Sequence, residues 1–462
     1  MFRGRVKHLH FVGIGGVGMC GIAEVLVNLG YEVSGSDLKE SQTVKRLKSL
    51  GARVEIGHAE DNVWEADVVV TSTAIGGDNP EVVAARRRNI PVIRRAEMLA
   101  ELMRLKYGIA VAGTHGKTTT TSLTSAVLAE GGIDPTIVIG GRLKSISSNA
   151  RLGAGEYLVA EADESDGSFL KLVPTIGVVT NIDEEHLDHW HGGIAEIEEA
   201  FIDFVNKVPF YGCAVMCLDH PRVQSILPKI ERKILTYGLS PQADYAASNV
   251  VSREDGTEFT VKRHGEELGR VELAMIGTHN VQNALAAISV ADEIGVEFSS
   301  IQKALAEFEG ISRRFEEKGR FGDVVVVDDY GHHPEEIIAT LKAARAASNR
   351  RLVVAFQPHR YTRTRDLMDD FAKSFNACHE LVVADVYAAG EVPIIDADSK
   401  KMVEKIRDFG HHGVRYGGDL DGVLRVLQEV VEPGDMVITL GAGDIFKVGE
   451  RLLETMGEGS FQ

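Results

Sequence analysis

The stretch VAGTHGKTTT, residues 111–120, ends an apolar run and begins a Thr-rich segment. Gly116-Lys117-Thr118 in this position is typical of a phosphate loop, whose backbone N–H groups surround phosphate oxygens. In the common pattern, G-x-x-x-x-G-K-[ST], the first glycine would stand where this chain has Val111. The stretch is therefore either a shorter phosphate loop or a helix start that contains a lysine by chance. Threonine is unfavourable inside helices, so four in succession favour a loop whose hydroxyls are used.

Length and charge limit the class of protein. At roughly 100–200 residues per domain, 462 residues predict two to four domains. A net charge of −18 makes the chain a poor non-specific partner for nucleic acid or an anionic membrane. The four cysteines lack zinc-site spacing and are expected to be packing residues in a reducing compartment. Because neither a signal-peptide pattern nor a long uncharged apolar stretch occurs, we expect a cytoplasmic protein. We also expect a monomer or weak homodimer.

Strands and helices alternate along the whole chain in three successive series, which predicts parallel sheets covered on both faces. Residues 255–275 instead alternate apolar and polar side chains around Gly turns, as antiparallel hairpins do. We therefore predict an α/β protein with a Rossmann-like N-terminal domain, a central P-loop-type mononucleotide-binding domain with a small antiparallel β portion, and a Rossmann-like C-terminal domain. The expected domains are residues 1–107, 108–310 and 311–462.

A second glycine-rich turn lies near the N-terminus. The pattern G-x-G-x-x-G is met by Gly13, Gly15 and Gly18, between a predicted strand and a predicted helix. These glycines, with Gly16, allow backbone to approach a diphosphate at the helix N-terminus. Asp37 ends the next strand, where a ribose-binding acid belongs. The alternative is a tight turn without a ligand, and any diphosphate would suit the turn.

Two acidic segments follow strands of the second series. Residues 161–166 carry four carboxylates, which repel one another unless a cation neutralises them, and this favours Mg²⁺ over a solvated acidic loop. Residues 183–191 add more carboxylates and three histidines at the end of the next strand, where ligands bind in parallel sheets. Asn280 and Asn283 lie on one helix face and either contact an adenine edge or serve as a cap and a surface amide.

The third series carries histidines and arginines after its strands. Residues 328–333 read DDYGHH, and residues 357–366 read QPHRYTRTRD. Guanidinium groups bind phosphate and carboxylate in bidentate fashion, so this basic cluster in an acidic chain predicts an anionic ligand.

Taken in order, these motifs resemble those of the Mur ligases. The resemblance covers essentially the whole chain, from GIGGVG through GTHGKT, EADESD, NIDEEHLDH and HNVQNALA to GISRRFE, DDYGHHP and FQPHRYTRTRD. It is most similar to the branch that adds the first amino acid, which implies ATP and Mg²⁺ as cofactors and UDP-N-acetylmuramate and L-alanine as substrates. The implied reaction transfers the γ-phosphate to the muramyl carboxylate, and the amine of alanine then attacks the acyl phosphate.

The resemblance also implies roles for individual residues. The UDP-sugar would bind at Gly13, Gly15, Gly16, Gly18 and Asp37. ATP would bind at Ala112, Gly113, Thr114, His115, Gly116, Lys117, Thr118, Asn280 and Asn283, and the metal at Thr118, Glu161 and His186. The amino acid would bind at Asp329, Tyr330, His332, His359, Arg360 and Arg363. The implied catalytic residues are Lys117, His186, Arg314, His332, Arg360 and Arg363.

One departure separates this chain from several relatives. They carry a carbamate-modified lysine about 14 or 15 residues after the histidine that matches His186, where this chain has Ala200 and Phe201. The alanine-adding branch is similar in lacking that lysine, which leaves open how a second metal is held.

Other activities share part of this pattern. A tripeptide-recycling ligase of the same family shares the later motifs, and a folylpolyglutamate-type ligase would share only the ATP domain. An NAD-dependent oxidoreductase would explain the first glycine turn and neither the phosphate loop nor the acidic segments. A non-catalytic ATP-binding regulator would leave the third-series cluster unused.

Overall fold

The structure, a computed structural model, describes residues 6–143, 148–185 and 189–457. Its Cα positions group into two compact units. Unit 1 comprises Met1–Val250, Phe259–Leu273 and Asn280–Glu309, and unit 2 comprises Val251–Glu258, Ala274–His279 and Gly310–Gln462. The described residues form three β-sheets, in agreement with the predicted three-domain α/β architecture.

The first sheet has five parallel strands in the order β3-β2-β1-β4-β5. The strands are β1 (His8–Val12), β2 (Glu32–Asp37), β3 (Arg53–Ile56), β4 (Val68–Thr71) and β5 (Val92–Arg94). The helices are α1 (Val17–Asn28), α2 (Gln42–Ser49), α3 (Pro80–Arg87) and α4 (Arg95–Met103), with a 3₁₀ turn at Glu60–Val63. Helix α2 begins where the Ser41 hydroxyl accepts from Val44 N, and α3 where Asn79 caps Glu81 N.

The second sheet has ten strands in the order β15-β14-β13-β12-β11-β10-β6-β9-β7-β8. They are β6 (Tyr107–Ala112), β7 (Thr136–Leu143), β8 (Ser148–Arg151), β9 (Tyr157–Glu161), β10 (Ile176–Val179), β11 (Cys213–Cys217), β12 (Ile234–Gly238), β13 (Tyr245–Arg253), β14 (Gly256–Arg263) and β15 (Glu266–Leu273). The helices are α5 (Lys117–Glu130), α6 (Ile194–Asn206), α7 (Pro221–Ile226), α8 (Thr278–Ile294) and α9 (Phe298–Ala306), with 3₁₀ turns at Ser168–Lys171 and Leu227–Lys229.

Strand β6 lies between β9 and β10 and is parallel to both. The phosphate-loop segment after β6 is therefore flanked by the two acidic segments that follow β9 and β10, as the sequence predicts. At the other end of the sheet, two-residue links join the neighbouring strands β13, β14 and β15, which makes them antiparallel. This confirms the predicted antiparallel portion.

The third sheet has the order β16-β17-β21-β18-β19-β20, and only β16 is antiparallel to its neighbour. Its strands are β16 (Glu316–Phe321), β17 (Val324–Asp329), β18 (Leu352–Phe356), β19 (Glu380–Ala384), β20 (Val414–Gly418) and β21 (Met436–Leu440). Its helices are α10 (Pro334–Ala347), α11 (Tyr361–Asp366), α12 (Met368–Ser374), α13 (Ser399–Asp408), α14 (Leu420–Val430) and α15 (Phe446–Gly457). An apolar cluster covers each face, so the central strands are continuous runs of Val, Ile and Leu.

All four cysteines are buried and none is in a disulfide, which confirms the prediction that they are packing residues. Burial raises the pKa of the Cys213 thiol to about 12, so it stays protonated. Among the described helices, none combines the length and the apolar character needed to cross a bilayer.

Candidate active site

The phosphate loop after β6 requires glycine at two positions. Gly113 has φ +132°, and a Cβ there would overlap the Thr180 Oγ1 atom. Gly116 has φ +79°, and a Cβ there would lie 2.7 Å from Asn283 Oδ1. Both conformations disfavour L side chains, so the loop depends on these glycines even though the usual first glycine is absent. Val111 lies in strand β6, as expected for a loop that starts at Gly113.

The end of β10 holds this loop through its backbone. The His115 N–H donates to Asn181 Oδ1 at 2.7 Å, and Asn181 Nδ2 donates back to the His115 carbonyl at 3.0 Å. The Thr180 hydroxyl donates to the same carbonyl at 2.6 Å, and Asp183 N donates to Thr114 Oγ1 at 2.8 Å. Sequence reasoning missed Asn181, whose amide fixes the loop from 66 residues away.

The Lys117 ammonium is folded back into the loop. Its Nζ donates to the carbonyls of Gly113 at 2.6 Å and Thr114 at 3.0 Å, and to Glu164 Oε1 at 2.9 Å. Burial alone would lower the pKa of Lys117, but the charges of Glu164, Asp163 and Glu161 outweigh it and raise that pKa. Lys117 therefore carries a full positive charge at the point where the loop would receive phosphates.

The oxygen donors next to Lys117 suit a hard divalent cation. Glu161 is half-buried at the end of β9. Thr118 is half-buried in the first turn of α5. Their chemistry fits Mg²⁺, which prefers carboxylate and hydroxyl oxygens together with substrate phosphates. His186, the third predicted ligand, lies outside the described residues, so its role stays a prediction.

Asn280 and Asn283 lie together on α8 and are buried. Asn283 Nδ2 donates to Asn280 Oδ1 at 3.1 Å, and Asn283 Oδ1 accepts from the Thr120 hydroxyl at 3.1 Å. The pair therefore packs against the start of α5 and the Gly116 turn. This excludes a cap and a surface amide for these residues, while contact with adenine stays a prediction.

The acidic segment after β10 contains an ion-pair cluster in unit 1. His115 Nε2 lies 3.5 Å from Asp183 Oδ2 and 3.3 Å from Glu185 Oε1, and His220 Nε2 lies 3.3 Å from Asp183 Oδ1. Burial alone would raise the pKa of Asp183, but the hydrogen bond from His220 and the charge of His115 outweigh burial and lower that pKa. Asp183 is therefore ionised beside the loop.

The glycine-rich turn after β1 has the geometry of a diphosphate site. Gly13 has φ +76°, and Gly15 N donates to Asp37 Oδ2 at 2.9 Å. Gly16 is the N-cap of α1 and no side chain caps the helix there, as in a helix start that binds an anion. Asp37 is thereby placed at the turn, which is where the sequence predicts the nucleotide part of the sugar ligand.

Arg95 was not predicted, yet it spans from this turn to the second sheet. A Cβ at Gly18 would overlap Arg95 Nη1 and lie 3.0 Å from Arg95 Cζ, so the guanidinium covers the first turn of α1. Its Nη2 donates to Asp163 Oδ2 at 3.1 Å. A cation therefore stands between the glycine turn and the acidic segment after β9.

In unit 2, four rings form a row across the ends of β17, β18 and β19. The Tyr330 and His332 centroids are 5.3 Å apart, those of His332 and His359 are 5.8 Å apart, and His359 stacks on Tyr387 at 5.4 Å. Burial lowers the pKa of His332 and lowers that of His359 to about 4. Both imidazoles are therefore neutral near pH 7 and able to accept a proton.

The backbone around His332 is fixed by Glu336 of α10. Glu336 Oε2 accepts from His332 N at 3.0 Å and from His333 N at 3.3 Å, while Arg314 Nη1 lies 3.7 Å from Glu336 Oε1. Arg360 is exposed and Arg363 half-buried, and the charges of both help to lower the pKa of His359. The predicted histidines and arginines of unit 2 are thus brought together, with Tyr330 against Arg314 at 5.5 Å from ring centroid to Cζ.

Asp329 differs from the other predicted amino-acid contacts because its carboxylate is buried and its oxygens are engaged. Oδ2 accepts from Phe315 N at 2.8 Å, and Oδ1 accepts from Gly331 N at 2.8 Å and from the Thr340 hydroxyl at 3.2 Å. Burial raises the pKa of this carboxyl group. The geometry gives Asp329 a role in shaping the loop that carries Tyr330 and His332.

Three family models match this chain in order. The Mur ligase family, catalytic domain, matches residues 8–107, and the Mur ligase middle domain matches residues 111–291. The Mur ligase, glutamate ligase domain, matches residues 313–443.

Curated relatives match over nearly their full length. The UDP-N-acetylmuramate–L-alanine ligase of Syntrophotalea carbinolica is 57% identical over 451 residues, 98% of each chain. That of Geobacter sulfurreducens is 56% identical over 456 residues, 98% of this chain and 99% of the relative. Among solved structures, the UDP-N-acetylmuramate–alanine ligase of Thermotoga maritima has a TM-score of 0.82 at 29% identity, covering 97% of this chain and 98% of that one. A murein peptide ligase of Psychrobacter arcticus has a TM-score of 0.69 at 25% identity, covering 99% of this chain and all of that one.

The phosphate loop, the glycine turn and the ring row therefore occur in a chain that matches the family's three domain models in sequence and its relatives from end to end. This chain belongs to the Mur ligase family.

Proposed function

We propose that this protein is an ATP-dependent ligase that joins L-alanine to the muramyl carboxylate of UDP-N-acetylmuramate, a step of peptidoglycan precursor synthesis in the cytoplasm. The observation that carries the proposal is the similarity, over 98% of both chains, to enzymes named for that reaction. The phosphate loop, its half-buried ammonium and the neutral imidazoles of unit 2 supply chemistry that this reaction needs.

The first step activates a carboxylate, which is by itself a poor electrophile. A carboxylate oxygen attacks the γ-phosphorus of ATP, the bond to the β-phosphate oxygen breaks, and an acyl phosphate and ADP result. Lys117 and the backbone N–H groups from Gly116 to Thr118 would stabilise the charge of the transferring group, which is where such sites contribute most. Mg²⁺, when bound by Thr118, Glu161 and His186, would neutralise further phosphate charge.

The second step forms the amide. The α-amine of alanine attacks the carbonyl carbon, a C–N bond forms, and phosphate leaves as the C–O bond breaks. The amine must first lose a proton. His332 or His359 would be the acceptor, since both rings are neutral, although burial makes both weaker bases than a free histidine. Arg360 and Arg363 would bind the carboxylate of alanine or the departing phosphate.

The sugar substrate would be anchored by its diphosphate. The glycine turn from Gly13 to Gly18 presents the uncapped N-terminus of α1, and Asp37 fixes the turn by accepting from Gly15 N. The turn would suit the diphosphate of a UDP group as well as that of a dinucleotide, and the similarity to UDP-N-acetylmuramate ligases favours UDP.

Phosphate release tests the proposal directly. We expect release from ATP only when UDP-N-acetylmuramate and L-alanine are both present, with the product detected by mass as the sugar plus one alanine. Omission of the sugar and omission of the amino acid serve as the two controls.

The tripeptide-recycling ligase is the competing function, because a murein peptide ligase shares the fold over the full chain. Release that ignores alanine and requires a preformed tripeptide would replace the proposed function by that one. A reaction that depends on a reduced or oxidised nicotinamide cofactor would instead mean that the glycine turn is part of an oxidoreductase.

A further inference from the structure

Arg360 has an unusual backbone for a residue with a side chain. Its φ is +71° and its ψ is +137°, a region that is favourable only for glycine. Such a conformation is unfavourable and persists only where the surroundings enforce it. Arg360 belongs to the predicted ligand-binding cluster, so the contacts that hold its backbone in this conformation matter for function.

The enforcement comes from the turn formed by residues 387–391, which follows β19 in the same unit and reads YAAGE. Arg360 N donates to the Tyr387 carbonyl at 2.9 Å, and Tyr387 N donates to the Pro358 carbonyl at 2.8 Å. These two bonds form an isolated parallel bridge between His359 and Tyr387. The backbone on both sides of the strained residue is therefore held by the 387–391 turn.

Glu391 ends this turn and holds the first residues of α11. Its Oε2 accepts from Thr362 N at 3.0 Å, and its Oε1 accepts from the Thr362 hydroxyl at 2.7 Å. Burial alone would raise the pKa of Glu391, but the hydrogen bonds from Thr362 outweigh it and keep the carboxyl group ionised. Thr362 lies between Arg360 and Arg363, so these two hydrogen bonds set the direction in which both arginines leave the start of the helix.

Tyr387 also determines where the His359 ring lies. The two rings are nearly parallel, with an interplanar angle of 9° and centroids 5.4 Å apart, while His332 approaches His359 from another side. His359 Nδ1 is buried and has no hydrogen-bond partner among the residues that the structure describes. A ring fixed by stacking, with a free nitrogen, is arranged for a ligand.

The 387–391 turn is not itself part of an apolar core. Val392, which follows it directly, is 78% exposed, and Ile395 is 89% exposed. The turn itself is exposed or half-buried, and its Tyr387, which is 39% exposed, packs against His359 and Gly443. The loss of the turn's contacts to residues 358–362 should disturb the arginines without unfolding the unit.

We infer that Tyr387 and Glu391 are positioning residues, which hold His359, Arg360 and Arg363 in the conformation that receives the amino acid and the acyl phosphate. The inference rests on the proposed function, since it takes alanine as the ligand. Tyr387 acts through ring stacking and its backbone bridge, and Glu391 acts through Thr362.

The test compares Glu391→Ala and Tyr387→Ala with the conservative variants Glu391→Gln and Tyr387→Phe in the full chain. Glu429→Ala, which removes an exposed carboxylate of α14, is the matched control. We expect both alanine variants to raise the KM for alanine and lower kcat/KM about 10- to 100-fold, since small displacements of binding groups have effects of that size. Tyr387→Phe keeps the ring and should match wild type, and Glu391→Gln keeps one acceptor and should be intermediate. The KM for ATP and the melting temperature should stay at wild-type values.

A second readout does not depend on activity. NMR titration of the His359 imidazole, assigned by comparison with His359→Gln, reports the enclosure that now depresses its pKa to about 4. In Tyr387→Ala this pKa should move towards 6.5. Glu391→Ala also removes a carboxylate that raises this pKa, so Tyr387→Ala is the variant that decides. An unchanged titration in Tyr387→Ala, or an unchanged KM for alanine in an active protein, overturns the inference. Wild-type protein without alanine-dependent phosphate release overturns the proposed function instead, and the titration then still decides whether the 387–391 turn positions His359.

Discussion

The two units hold their functional groups in contrasting ways. In unit 1 the Lys117 ammonium is half-buried and fully charged, and it donates to two carbonyls only three and four residues away and to one carboxylate. In unit 2 the His332 and His359 rings are neutral, and they are placed by residues from three strand ends and the 387–391 turn.

This difference follows from the chemistry that each site must perform. Phosphoryl transfer needs fixed positive charge, and a short loop can supply it because backbone N–H groups and one lysine suffice. An attacking amine needs a proton acceptor that is neutral, and burial beside arginines keeps an imidazole neutral while making it a weaker base than a free histidine. A charged loop is encoded locally, whereas a neutral, oriented imidazole depends on the tertiary fold around it.

The largest effect is expected when the charge of unit 1 is removed. Lys117→Ala should lower the rate of phosphate release by about 1,000-fold or more, because it removes the cation that faces the transferring group. It should also destabilise the protein by about 3–5 kcal/mol, since the buried Glu164 carboxyl group is then left without its partner.

The double variant Lys117→Ala/Glu164→Gln separates these two effects. It should recover most of the stability in thermal unfolding and none of the phosphate release. A double variant that also regained activity would mean that the ammonium acts only through the fold and would remove the contrast between the units.

Next in size is the geometry of the loop itself. Gly116→Ala places a Cβ at φ +79° and 2.7 Å from Asn283 Oδ1, so backbone strain and a clash coincide. We expect a cost of about 1–3 kcal/mol and a KM for ATP about tenfold higher. Gly116→Ala/Asn283→Ala should relieve only the clash, and a KM for ATP in that double variant equal to that of Asn283→Ala alone would show that the left-handed conformation is not required.

The same contrast explains which parts of the site were predictable. The two glycine turns and the charged segments were predicted from local patterns, because a glycine turn or an acidic run is a property of a few consecutive residues. Helix α5 begins at Lys117, directly after the glycine of the predicted phosphate loop.

Residues that act over long sequence separations were missed. Asn181 fixes the loop by a bond to His115, Arg95 reaches Asp163 from 68 positions away, and Glu391 holds Thr362 from 29 positions away. Each has an ordinary local sequence, and only the parallel sheet order brings it to the site. The asparagines of α8 show the reverse, since their spacing predicts a shared face but not that both are buried and bonded to each other.

The neutral imidazoles of unit 2 make its stability depend on pH. Burial and the charge of Arg314 lower the pKa of His279 to about 4, so the folded protein binds this proton more weakly than the unfolded chain. Stability should therefore be fully present above about pH 6.5 and fall as the pH decreases towards 4. Chemical denaturation at pH 7.5, 6 and 5 should show this loss, and His279→Gln should reduce its slope. An equal slope in wild type and variant would mean that His279 is not the group responsible.

The smallest effect is expected at Arg95, whose cation belongs neither to the phosphate loop of unit 1 nor to the ring row of unit 2. Gly18→Ala would push the guanidinium off the first turn of α1, and this is possible because the overlapping atoms end a flexible side chain. The pair with Asp163 is partly exposed, so its loss should cost less than about 1 kcal/mol in thermal unfolding. We expect the KM for UDP-N-acetylmuramate to rise severalfold, and Gly18→Ala/Arg95→Ala to be no worse than Arg95→Ala, because both changes remove the same group. If the two substitutions were additive, the methyl group at position 18 would obstruct the diphosphate directly, and Arg95 would be a structural tie between the sheets of unit 1.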